Sequence, residues 1–172
     1  MINSHKTFNS NFCFNDDKSE LIYSRCKRDE NSELHCDLWK SSFVKNAWTK
    51  PVKLPDVINE EGSSTVQPFL VTYPNYQVLY FVSNRKNGIG GFDIWYSVYK
   101  NNRFEYPVNV GSVINTEGNE VTPFYDKNNG ILYFSSDEHL GIGDYDIFYV
   151  PGSMSHWGEV SNMGVPFNSN YN

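Results

Sequence analysis

Apolar residues in this chain come in short unbroken runs separated by polar turns: Leu79 to Val82, Ile131 to Phe134 and Ile147 to Val150. Each run is far shorter than a helix and is bounded by Asn, Gly, Pro or Asp, which predicts β-strands joined by tight turns. The runs do not alternate apolar with polar. A lone antiparallel sheet would leave one face wet, so these strands require apolar neighbours on both faces. The pattern predicts several sheets packed face to face.

The runs also recur. "NRKNGIGGFDIWYS" (84–97) and "DEHLGIGDYDIFYV" (137–150) match at a constant offset, Gly88 to Gly141 and Asp93 to Asp146. Upstream, Asp37, Trp39, Trp48, Pro51 and Asn59 fall at one constant spacing before Asp93, Trp95, Phe104, Pro107 and Asn115. The chain therefore holds three copies of a unit of 53–56 residues, the third ending short. Each unit reads as four strands: a short one opened by Pro-Phe (Phe69–Thr72, Phe124–Tyr125), two apolar ones around a Gly-rich loop, and a last one after an aromatic residue. Four-stranded sheets repeated in series and covered on both faces predict an all-β fold, a partial β-propeller of about three four-stranded antiparallel blades. The expected blades are 7–56, 66–112 and 121–165, within one domain over 1–172. Three blades do not close a ring. The expectation is a fragment of a larger propeller, or a chain completed by further blades from the same or another chain.

"LYFVSNRKNGIGGFDIWYS", "PVNVGSVINTEGNEVTPF" and "LYFSSDEHLGIGDYDIFY" resemble the WD40-like, TolB-type (PD40) β-propeller repeat, as found in Bacteroidetes cell-envelope proteins of the OmpA family and in type IX secretion. The likeness covers nearly all of 18–170. Copy one departs from it with Ser24-Arg25-Cys26, and copy three with Ser136-Asp137-Glu138. The resemblance implies a periplasmic or outer-membrane-associated repeat protein. It implies binding of protein or of peptidoglycan-associated envelope components.

Composition adds limits. Aromatic residues make up 16% of the chain and the net charge is −6, with no basic run, which argues against nucleic acid. No apolar run nears the roughly 18 residues of a membrane-spanning helix, so the chain is not expected to span a membrane. "MINSHKTFNSNF" has no apolar core of a signal peptide.

The candidate chemistry divides into structural and functional readings. Gly88, Gly90, Gly141 and Gly143 precede a strand where a phosphate loop would precede a helix, so they predict tight turns needing positive φ. Asp37, Asp93 and Asp146 each lead into a third strand and predict carboxylates that accept loop N–H groups. Asp137, Asp144 and Asp146, with Glu138, form the alternative of a calcium site, although no EF-hand spacing occurs and no cofactor or other metal is expected. Glu117, Asn119 and Glu120, in the linker between units, are the candidate ligand-binding residues; the linker reads otherwise as plain turns. Trp48, Phe104 and Trp157 read as core aromatics or as a sugar-stacking series. The histidines and arginines read as solvated surface, with no nucleophile elbow among them. Cys26 and Cys36 flank the copy-one loop, where a cross-hairpin disulfide and two buried thiols are both open readings; Cys13 stays free either way.

With no catalytic motif, the leading expectation is a non-enzymatic binding or scaffold module. The alternative is a glycan-acting envelope hydrolase with its site in the propeller channel.

Overall fold

The structure is a computed structural model that describes residues 7–30 and 32–170. His5 lies outside these residues. Among them, fifteen strands form three antiparallel sheets, and no helix is long and apolar enough to cross a membrane. Blade 1 holds β1 (Thr7–Phe14), β2 (Glu20–Arg28), β3 (Leu34–Val44), β4 (Ala47–Trp48) and β5 (Val52–Lys53). Blade 2 holds β6 (Thr65–Thr72), β7 (Gln77–Ser83), β8 (Asp93–Lys100), β9 (Arg103–Phe104) and β10 (Val108–Asn109). Blade 3 holds β11 (Glu120–Asp126), β12 (Ile131–Ser136), β13 (Asp146–Ser153), β14 (His156–Trp157) and β15 (Ser161–Asn162). The fourth strand of every blade is split into two short pieces that pair with different ends of the third. Pro51 and Pro107 lie in that break in blades 1 and 2, where a residue without an N–H cannot extend a ladder. The third blade has the same five strands as the others.

The first strands stand side by side around a common axis, with β6 packed against β1 and β11. Each carries a bulge at the same place, at Asn11, Gln67 and Thr122, with φ of 42°, 50° and 55°. This lengthens the first strands beyond what Pro-Phe marked in the sequence. The bulges link the blades near the axis: Gln67 N donates to Ser24 Oγ (3.0 Å), and Thr122 N donates to Gln67 Oε1 (2.7 Å). At the opposite end of these strands, Lys127 Nζ reaches Asp16 and the Thr72 carbonyl.

The core lies between blades. One cluster joins Ile22, Leu38, Leu54 and Ile58 of blade 1 to Leu70, Leu79, Phe81 and Trp95 of blade 2. A second joins Tyr80, Val82, Ile94, Val110 and Ile114 of blade 2 to Tyr125, Leu132, Phe134 and Phe148 of blade 3. Tyr80 and Leu79 are neighbours in sequence and enter different clusters, which is why the apolar runs are continuous. At roughly 1.5–3 kcal/mol per large apolar side chain buried, these two interfaces dominate the stability of the fold.

A buried asparagine closes each blade. Asn59, Asn115 and Asn168 sit in the segment after the fourth strand and bond both backbone groups of a third-strand residue: Leu38, Ile94 and Ile147. The side-chain amide stands in for a peptide unit of an absent neighbouring strand.

Candidate functional site

The loops after the second strands (84–92 and 137–145) and the linker 110–119 meet on one face of the propeller. Gly91 N donates to the Gly118 carbonyl (2.8 Å), and Phe92 N to Asn119 Oδ1 (3.0 Å). Two carboxylates, Asp93 and Asp146, hold these loops from beneath. Asp93 is fully buried and accepts from Ile89 N (2.5 Å), Gly90 N (3.2 Å) and Asn109 Nδ2 (2.9 Å). Asp146 accepts from Ile142 N and Asn162 Nδ2 through Oδ2, while its buried Oδ1 has no hydrogen-bond partner. Asp37 is different. It is half-buried and pairs with Lys53 Nζ at 3.0 Å, the lysine standing where Asn109 and Asn162 stand in the other blades.

The glycine expectation needs correcting. Gly88, Gly90, Gly141 and Gly143 are absent from the residues at positive φ, while Asn87 (63°) is among them. Close approach explains the glycines. A Cβ on Gly88 or Gly141 would strike Asp93 Oδ2 or Asp146 Oδ2, and one on Gly90 or Gly143 would strike the carbonyl of Thr116 or Ser169. The loop is wrapped so tightly around its aspartate that no side chain fits.

Copy one lacks this loop. There β2 and β3 run on as a ladder to Arg28 and Leu34, so Cys26 and Cys36 face each other within the strands instead of flanking a loop. They form a disulfide, and Cys13 is a buried free thiol. Burial pushes that thiol up to about 12, against the smaller opposing effect of backbone hydrogen bonds.

The candidate ligand residues separate on inspection. Glu120 opens β11, is fully buried, and is held by Thr116 N (2.7 Å), Thr116 Oγ1 (2.6 Å) and Ser136 Oγ (2.7 Å). It cannot meet a ligand as a free carboxylate. Glu117 is exposed, and Asn119 is half-buried. Asn119 donates to the exposed Asp137 from its backbone (2.6 Å) and its amide (2.7 Å). Burial alone would raise the Asp137 carboxyl; the Asn119 bonds and the Tyr145 phenol bring it below the usual carboxylate range. The Tyr145 phenol is pushed up by burial and by Asp137. Gly118 lies directly against Asp137 and Glu138. The loop face thus gathers Glu117, Asp137, Glu138 and Tyr145 above the buried Glu120. Linker and loop come from different blades, so no local motif marks them.

Asp137, Asp144 and Asp146 do not converge as a metal site: among the described residues the one close group of three potential ligands is Asp29, Glu33 and His35, at the blade 1 hairpin tip. Two side chains expected at the surface are part of the interior. Arg85 is buried, bonded to the carbonyls of Ile58 and Val57 and stacked on Phe81 and Trp95. His139 bonds the Ile114 carbonyl through Nε2 (2.8 Å) between Phe134 and Phe148.

No protein-family model and no curated protein matches the chain. Solved structures do. An α-L-arabinanase of Penicillium chrysogenum, complexed with arabinobiose, aligns over 94% of this chain and 50% of its own, at TM-score 0.57 and 12% identity. A thermostable family-43 glycoside hydrolase aligns over 92% of this chain and 54% of its own, at TM-score 0.55 and 18% identity. The GH93 α-L-arabinofuranosidase of Fusarium graminearum, also with arabinobiose, aligns over 91% and 49%, at TM-score 0.54 and 15% identity. The chain shares the multi-blade β-propeller fold of these proteins. It spans about half their length. At these identities the likeness establishes the fold, and none of these three neighbours is a TolB-type repeat protein.

These neighbours overturn the expectation of a non-enzymatic scaffold module, and with it the expectation that the chain is not an enzyme. Both rested on the resemblance to the TolB-type repeat and on the lack of a catalytic motif. A propeller assembles its site from separate blades, so the lack of a local motif carries little weight.

Proposed function

We propose that this chain forms part of a glycan-acting hydrolase of the β-propeller type, working on the loop face that carries Asp137. The fold shared with arabinan-cleaving enzymes carries the reading, joined to the carboxylates gathered on that face. Glycosidic cleavage uses two carboxyl groups, one protonating the leaving oxygen and one acting as base or nucleophile. Asp137, kept ionised by Asn119 and Tyr145, suits the second role. Glu117, exposed on the facing linker, suits the proton donor. Glu120 positions the linker by holding Thr116. In the same reading, the TolB-type likeness of the repeat and the Cys26–Cys36 disulfide support an oxidising compartment such as the periplasm.

The test is release of reducing sugar from arabinan, arabinoxylan and 4-nitrophenyl arabinofuranoside by the purified chain. Turnover that falls by roughly 100-fold or more in Asp137→Asn and Glu117→Gln, with melting unchanged, supports the assignment. A folded wild-type chain inactive on all three substrates overturns it.

A further inference from the structure

The two interfaces inside the chain are built from the same parts. The face that blade 2 presents to blade 1 carries Leu70, Leu79, Phe81 and Trp95, and the equivalent face of blade 3 carries Tyr125, Leu132, Phe134 and Phe148. By register, the corresponding residues of blade 1 are Phe14, Leu21, Tyr23 and Trp39. That set faces away from blade 2, and no blade covers it among the described residues. Beside it lies a groove of about 600 Å³ lined by Phe12, Phe14, Tyr23, Arg25 and Trp48, with Phe12 66% and Trp48 44% exposed.

The receiving faces repeat in the same way. Ile22, Leu38, Leu54 and Ile58 receive blade 2, and Tyr80, Ile94, Val110 and Ile114 receive blade 3. Their counterparts in blade 3 are Tyr133, Ile147, Met163 and Phe167, which receive no blade among the described residues. Ile58 and Ile114 are fully buried, while Phe167 is 64% exposed. A polar contact repeats as well. Arg85 reaches the Ile58 carbonyl and His139 the Ile114 carbonyl. Blade 1 has no register counterpart of these donors: Arg25 stands where Ser83 and Ser136 stand, stacks on Trp39, and bonds Asn9 Oδ1 (2.9 Å) and the Tyr23 hydroxyl (2.7 Å) within its own blade.

We propose that a second copy of this chain occupies both faces. Blade 1 of each copy seats on blade 3 of the other, and the two copies close a six-bladed ring. The occupant follows from continuity: the exposed pair of faces repeats a pair that is already joined twice within the chain. The chain spans 49–54% of the solved structures that share its fold. Six blades lie within the range of about 4–8 in which propellers close. Head-to-tail contacts that close under a two-fold axis give a discrete dimer and not a filament. This proposal does not depend on the hydrolase reading.

Sedimentation equilibrium and light scattering of the purified chain test it. The expected mass is twice the 19.9 kDa of the chain. Trp48→Glu on blade 1 and Phe167→Glu on blade 3 replace exposed side chains, so each variant should keep its far-UV spectrum. Each should raise the dimer dissociation constant at least about 30-fold. A stable monomer overturns the proposal and leaves the faces to other blades. So does an open polymer. A dimer broken by Trp48→Glu but not by Phe167→Glu overturns it too, since the contact would then be blade 1 on blade 1.

Discussion

Asn115 holds Ile94 by both of its backbone groups: Oδ1 accepts from Ile94 N and Nδ2 donates to Ile94 O, each at 2.9 Å. Its second amide hydrogen goes to Asn109 Oδ1 at 2.8 Å, and Asn109 in turn supports Asp93. Asn115→Ala would leave buried donors and acceptors without partners. The expected loss is about 3 kcal/mol, read from the urea midpoint, because orphaned buried groups cost about 1–3 kcal/mol each. Asn115→Asp should not rescue it, since a carboxylate facing the Ile94 carbonyl has no hydrogen to give.

The glycines sort by space and not by backbone angle. Gly141→Ala should destabilise by about 2 kcal/mol or more, because the added methyl meets Asp146 with no room to yield. Gly164→Ala places a side chain at φ 64° but in open space, and should cost about 1 kcal/mol. Thermal melts of the two variants give the order. The reverse order would mean that the loop relaxes around a side chain.

The Cys13 thiol should be silent to a thiol reagent in the folded protein at neutral pH. One thiol should react after denaturation without reductant, and three after reduction. Its raised folded value also sets a pH dependence. The buried neutral thiol contributes stability that is complete below its ordinary value of 9.0 and is lost as pH rises from there towards about 12. Tyr23 and Tyr80, raised by burial, add in the same direction. Cys13→Ala should show a shallower loss of stability above pH 9 than the parent chain.

Removing a hydrogen bond that favours ionised Asp137 should raise its pKa. Tyr145→Phe is therefore expected to move the acid limb of any glycosidase activity to higher pH, with the alkaline limb unchanged. An unmoved acid limb would take Asp137 out of the reaction.

The three-blade architecture was legible because its determinants repeat. Apolar runs such as Leu79 to Val82 show that both sheet faces are covered, and the spacing from Asp93 to Asp146 marks the unit. The first strand of blade 1 was not marked by the repeat, since Thr7–Phe14 lacks the Pro-Phe of its counterparts. The reason for the glycines was hidden too: turn geometry and close approach select the same residue, and coordinates alone separate them. Arg85 resembled a surface charge until the Ile58 carbonyl and two aromatic rings were found around it. The Asp137 cluster depends on a linker and a loop meeting across a blade boundary, which spacing does not encode.

The asparagine latch works entirely within one blade, while the apolar contacts work only across the boundary between two. A single blade excised from the chain would keep its latch and lose the apolar cover that makes it worth folding. Conversely, inserting or deleting a whole blade leaves every remaining latch intact. Such a chain can change size only in whole-blade steps, and each step redraws the circle that its neighbours must complete.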